Sequence, residues 1–157
     1  MRLFLFSLNV MFLFSCDVVP EVAPEKLVND PPEEKSQIQN IVDQAKTALE
    51  QVESFEREVK SIERIFISRN VQGFNPAGGE VMKTLGLHKS ALSALIEQAQ
   101  QDYRVVIATQ NQAESAVDSA GVESAVLQAQ VARDKVIEAR DQAESIRNQV
   151  KTLTGTS

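Results

Sequence analysis

Apolar residues recur at every seventh position from Ile38 onward. Ile38, Ala45, Val52, Val59 and Phe66 form one row; Ile41, Ala48, Phe55 and Ile62 form a second, three residues behind the first. Rows interleaved in this way place their side chains on one stripe of an α-helix and exclude the two-residue alternation of a strand. Val42 and Leu49 widen the stripe, as core-facing helices of bundles require. No Gly or Pro interrupts it. Asp30-Pro31-Pro32-Glu33 supplies a start: a side-chain cap, proline where helix N–H groups lack partners, and an acid in the first turn. The pattern predicts a first helix over about residues 31–68.

Asn70 to Gly79 breaks the pattern, with three of the chain's six glycines and the last of its prolines, and reads as a loop. Val81, Met82 and Leu85 open a second helix, expected over about 80–118, which Leu92, Leu95, Ala99, Val106, Ala113 and Ala116 continue. Gly86 marks a point where it could kink or split. Ser119-Ala120-Gly121 reads as a short turn or a weak point in a longer helix. A third helix is expected over about 122–152, fraying in Thr152–Gly155. Its rows are Val122, Ala129, Val136, Ala143, Val150 and Ala125, Ala132, Ala139, Ile146, Leu153. This Ala/Val seam lets a partner helix approach closely but buries little area, so at roughly 25 cal/mol per Å² it should be the weakest part of the core. The short echoes Glu114–Val117/Glu123–Val126 and Gln112–Ser115/Gln142–Ser145 read as low complexity in Ala/Gln/Glu helices rather than a repeat. The expected fold is all-α: an elongated antiparallel three-helix bundle, coiled-coil-like, over residues 36–155. A helical hairpin that completes its core by dimerising has the same heptads, and heptads alone do not separate the two.

The first residues follow another logic. Met1-Arg2 is a minimal positive stretch, and Leu3 to Phe14 is an apolar run. Twelve residues of helix reach about 18 Å, short of the roughly 30 Å hydrocarbon core, so the run has the length of a signal-peptide core rather than a membrane span. It ends at Leu13-Phe14-Ser15-Cys16, with a small residue directly before the cysteine. That resembles the lipobox of bacterial lipoproteins, although Phe14 is bulkier than most carry. The resemblance implies cleavage after Ser15, a diacylglycerol thioether on Cys16 and an acylated amine; two or three acyl chains anchor stably where one does not. The competing reading is an uncleaved or Ser15-cleaved signal with a free thiol. Removing residues 1–15 leaves 142 residues at net charge −7, against −6 for the whole chain. Asp17 to Glu34 holds Pro20, Pro24, Pro31 and Pro32 and reads, with Cys16, as an extended tether over 16–35 that holds the bundle off the membrane surface.

Composition narrows the chemistry. Trp is absent, and Tyr, His and Cys occur once each. One cysteine permits no internal disulfide. A net acidic chain without a basic run is not expected to bind nucleic acid. Metal ligation needs converging His, Cys or carboxylates; His88 is alone and Cys16 is accounted for by lipid, so neither metal nor cofactor is expected. Nucleophilic catalysis needs a base beside Ser, Thr or Cys, and Ser90 stands two residues from His88, the wrong spacing for one helix face. Acid pairs such as Glu33–Glu34 and Glu53/Glu56 read as solvated faces, a glycosidase cleft lacks its aromatics, and Gly78-Gly79 lacks the context of a phosphate loop. The chain reads as a non-enzyme.

Surface recognition remains. The Asn70–Gly79 loop places Val71 and Phe74 between flexible residues, with Arg64 and Arg69 before it and Lys83 and Lys89 after it. Loops on rigid scaffolds carry binding groups, and an aromatic there suits an anchor. Arg69, Val71, Phe74 and Asn75 are the candidate ligand-binding residues; the alternative is that Phe74 folds back to cap the bundle. A second candidate surface is the charged face of the third helix, Arg133, Lys135, Arg140, Arg147 and Lys151 among Glu138, Asp141 and Glu144, where Arg140–Glu144 and Glu144–Arg147 suit intrahelical pairs.

A loose lipobox, a tether and an Ala/Glu/Gln/Lys-rich helical bundle together resemble the small helical outer-surface lipoproteins of tick-borne spirochaetes, and within them most the factor-H-binding type. Beyond Leu13–Cys16 the resemblance lies in architecture, over the whole chain. It implies anchoring to the outer membrane through Cys16, display at the cell surface and binding of a host protein, such as complement factor H or a matrix protein, for immune evasion or adhesion. Asp17 after the cysteine implies inner-membrane retention under the sorting rule of enteric bacteria, a rule spirochaetal lipoproteins do not follow, so the periplasmic face stays open. A different reading is a structural envelope lipoprotein that forms homo-oligomers, with the Ala/Val seam of the third helix as the interchain surface. A periplasmic carrier is a third, for which no pocket signal appears.

Overall fold

The computed structural model describes residues 31–70 and 76–156. Three helices account for 96% of them, with no strand: α1 (Pro31–Asn70), α2 (Pro76–Ser115) and α3 (Ser119–Thr154). At 1.5 Å per residue, the 40 residues of α1 and of α2 each span about 60 Å. The chain is an all-α three-helix bundle.

The core shows how the helices run. One cluster joins Ile38, Ile41, Val42 and Ala45 of α1 to Val106 and Ala113 of α2 and to Ala125, Val126, Ala129 and Ala132 of α3. Another joins Val52, Val59 and Ile62 to Leu85 and Leu92 and to Ala143 and Val150. The start of α1 therefore lies level with the end of α2 and the start of α3, an up-down-up arrangement in which α1 and α3 run parallel. The end where α1 starts is called the near end below, and the end where α1 finishes, α2 starts and α3 finishes the far end. Both α1 heptad rows face inward: seven of the nine residues are buried, and Phe55 and Phe66 are partly so. The α3 seam is buried within the same chain at Ala125, Ala129, Ala132, Val136, Ala139, Ala143 and Val150. Between the two large clusters lies a thin waist of Ala48, Ala99, Val136 and Ala139. Small residues of all three helices meet there, with Leu49, Leu95, Tyr103 and Ile137 packed against them.

Three local expectations are corrected. The second helix begins at Pro76, not near Glu80, because proline is suited to a first helical turn and Gly78 and Gly79 fall where N–H groups need no partner. It ends at Ser115 and passes Gly86 without a break. Ser119-Ala120-Gly121 is not a turn but the first turn of α3; the connection is Ala116–Asp118. Asp118 decides this, since its carboxylate accepts the Gly121 N–H at 2.8 Å as an N-cap. The last turn of α3 does not fray. Gly155 adopts φ 65°, its N–H donates to the Thr152 carbonyl, and Thr156 N–H donates to Lys151. This is a Schellman closure, which glycine permits at positive φ.

Side-chain pairs fix neighbouring helices. Lys89 on α2 grips Glu63 on α1 through both carboxylate oxygens at 2.9 and 2.7 Å. Gln100 donates to Glu53 at 3.3 Å and Gln110 to Gln39 at 3.1 Å, continuing that seam toward the near end. On the other side of α1, Arg133 donates to Gln44, Lys151 pairs with Glu58 at 2.6 Å, and Arg147 stacks 4.5 Å from the Phe55 ring centre.

Candidate functional site

Of the candidate binding residues, Arg69 is described. It lies in the last turn of α1, where a cation complements the helix dipole, and it is exposed at the far end. Val71, Phe74 and Asn75 lie outside the described residues, as do Cys16, the signal segment and the tether up to residue 30. The structure thus places one of the four candidates and shortens the expected loop: Asn70 belongs to α1, and Pro76–Gly79 belong to α2.

The surroundings of Arg69 are well held. Below it, Phe55, Phe66, Val81, Met82, Leu95, Ile96, Ile146 and Leu153 pack on the far-end cluster. The Lys89–Glu63 and Lys151–Glu58 pairs tie α2 and α3 to α1 in the same region. On this frame the far end presents apolar surface that the heptad reading did not single out. Ile65 and Ile67 on α1 are 41% and 40% exposed, and Leu87 on α2 is 67% exposed. These positions fall off the inward rows, which is the signal that could have found them. Arg64, next to Ile65, and Lys83, four residues before Leu87, are also exposed.

The second candidate surface is rearranged. Glu144 and Arg147 do pair, at 2.9 Å. Arg140 does not take Glu144; both its Nε and Nη2 turn to Asp141, at 2.9 and 2.6 Å. Arg133 engages Asp134 in the same way, at 3.0 and 2.7 Å. Arg133, Arg140 and Arg147 stand seven residues apart, so all three follow one edge of α3. Arg133 and Arg147 reach α1 from it, through Gln44, Phe55 and Glu58. Their side chains are only about a fifth to a third exposed. The row therefore seals the α1–α3 seam more than it offers a free basic face.

His88 is partly buried and lines an open groove of about 690 Å³ between α2 and α3, with Asp141, Glu144, Ser145, Asn148 and Gln149. Ser90 is exposed and donates its hydroxyl hydrogen to the Gly86 carbonyl at 3.1 Å, back along α2. Glu53 is engaged by Gln100, and Glu56 pairs with Lys60 at 2.8 Å. No group of three or more His, Cys, Asp or Glu among the described residues could hold a metal ion, and no described helix is long and apolar enough to cross a membrane. Comparison of the chain with protein-family models, with curated proteins and with solved structures gives no match.

Proposed function

We propose that the chain is a lipid-anchored surface protein whose helical bundle presents its far end to a host protein. The observation that carries this reading is the polarity of the bundle. In sequence the tether leads into α1 at Pro31, and the end of α1 at Asn70 and the start of α2 at Pro76, between which Val71 and Phe74 fall in sequence, stand about 60 Å away along the helix axis. A long body with an anchor sequence at one end and the connection between α1 and α2 at the other suits reaching out from a membrane. The lipobox-like Leu13–Cys16, the proline-rich tether and the bundle support the likeness to spirochaetal surface lipoproteins, and a complement regulator such as factor H or a matrix protein is the partner that likeness suggests.

The test has two arms. Protease shaving of intact cells that make the chain, with immunodetection of residues beyond Gln37, is expected to remove it; full protection retires the surface reading. Binding of factor H and fibronectin to the purified lipidated chain is expected to weaken on Phe74→Ser with the helix content unchanged. Binding that survives the substitution puts the site elsewhere.

A further inference from the structure

The bundle is charged unevenly along its axis. Residues 61–70, 76–90 and 145–156, which build the far end, together with Glu58 and Glu144 that pair with Lys151 and Arg147 there, hold six Lys and Arg against four Asp and Glu, a net +2. The other described residues of the bundle hold eight against fourteen, a net −6. Some of the far-end cations are engaged: Lys89 by Glu63, Lys151 by Glu58, Arg147 by Glu144. Arg64, Arg69 and Lys83 are exposed and form no ion pair among the described residues. Ile65 and Ile67 on α1 and Leu87 on α2 are exposed toward the same end of the bundle.

Resting on the reading that the far end is the binding end, we infer that its ligand is an acidic polypeptide segment carrying apolar side chains among its carboxylates. Three exposed cations attract carboxylates, and three exposed aliphatic side chains gain by meeting apolar ones. A sulfated polysaccharide answers only the first of these demands and leaves Ile65, Ile67 and Leu87 wet. The flanks contribute by repulsion. Charges are screened over about 8 Å at physiological salt, so an acidic segment senses each region of a 60 Å rod separately. It is repelled along the waist and near end and attracted at the tip, which directs encounter to one end.

The test uses the full lipidated chain in neutral detergent and fluorescence anisotropy with three labelled probes: a short peptide alternating Glu and Leu, its Glu/Ser counterpart, and a heparin fragment. The Glu/Leu peptide is expected to bind more tightly than either other probe, and to weaken as sodium chloride is raised. Arg64→Glu, Arg69→Glu and Lys83→Glu together are expected to weaken it about tenfold or more, the sum of three modest exposed contacts. Ile65→Ser with Ile67→Ser should weaken it while leaving the salt dependence in place. Lys35→Glu with Lys46→Glu, at the near end, should leave it unchanged. All these positions are exposed, and circular dichroism verifies that each variant keeps its helices. Equal binding by wild type and the triple reversal overturns the inference, as does heparin binding that is as tight and indifferent to the isoleucine changes. Factor H bound and lost on Phe74→Ser, yet indifferent to the triple reversal, leaves the far-end reading standing and overturns the acidic ligand. Peptide binding lost only in the near-end variant overturns both.

Discussion

Gly86→Ala is expected to stabilise the bundle by about 1 kcal/mol, the difference in helix propensity between the two residues. Each condition for the full gain is met. Gly86 is the eleventh residue of a 40-residue helix, far from both ends. It is exposed, its φ is not positive, and a methyl group at its Cβ position would meet nothing within 4 Å. Part of the gain arises in the unfolded chain, which loses freedom when Ala replaces Gly. Two other glycines serve as controls. At Gly121 an added Cβ would lie 3.0 Å from Asp118 Oδ1, the cap acceptor, and 3.2 Å from the Ala116 Cβ, so no gain is expected. At Gly155 the backbone is left-handed, and Ala should cost about 1–2 kcal/mol. Thermal and urea unfolding of residues 31–157, followed by far-ultraviolet circular dichroism, reads all three. The Gly86 variant should melt about 4 °C higher, with an unchanged urea slope. A neutral or destabilising Gly86→Ala would mean that α2 bends or splits at that position, and the continuous helix would be wrong.

Three further perturbations probe single contacts. Asp102 has a buried Oδ2 with no hydrogen-bond partner among the described residues, so Asp102→Leu should raise stability by about 1–2 kcal/mol; a loss in urea unfolding would reveal a partner for the carboxylate. Asp118→Ala removes the α3 cap and should cost about 1 kcal/mol, with hydrogen exchange rising first in Ser119–Val122; uniform exchange along α3 would argue against capping. A double-mutant cycle on Glu63→Gln and Lys89→Met should return a coupling of about 1 kcal/mol or less, since both side chains keep some solvent contact, and a coupling several times larger would mark the pair as desolvated.

The heptads were the most legible part of the chain because their information is local. Every apolar position of the α1 rows turns inward, and the α3 rows behave alike, so three packed helices follow from residues a turn apart. What was misread depended on a neighbour. Gly78 and Gly79 looked like loop, but near a helix start their flexibility costs little once Pro76 sets the first turn. Ser119–Gly121 looked like a turn until Asp118 was seen to cap it. Arg140 was expected to reach Glu144 along α3, whereas the arginine row runs beside α1, and its guanidinium groups lie back on the next residue. α2 was harder to read because His88, Asp102 and Thr109 interrupt its second row. Thr109 is buried without a neighbouring helix to satisfy it, and its hydroxyl donates back to the carbonyls of Val105 and Val106. The basic far end was hidden for a different reason. Residues 61–70 and 76–90 are distant in sequence from 145–156, and only the up-down-up topology adds their charges together.

That topology also bears on whether copies of the chain associate. The Ala/Val seam of α3 offered itself as an interchain surface while only its sequence was in view. In the bundle the seam faces α1 and α2 of its own chain, with Ala129, Val136, Ala143 and Val150 fully buried, so a second copy could use it only by opening the bundle. What α3 leaves outside is Leu127 and Val131, 63% and 58% exposed, with Val105 of α2 in the same layer at 44%. Three partly exposed side chains fall well short of the roughly 800 Å² per partner that a stable interface covers. Residues 31–157 are therefore expected to sediment as a monomer at micromolar concentration. Ala132→Leu, at a position 4% exposed, should lower stability by about 1–3 kcal/mol through overpacking and leave the mass unchanged. Leu127→Ser with Val131→Ser should change neither. A mass that rises with concentration and falls back to monomer in Ala132→Leu, but not in the Leu127/Val131 variant, would show that the seam pairs chains in solution and that the intramolecular packing of α3 is not the state the protein adopts.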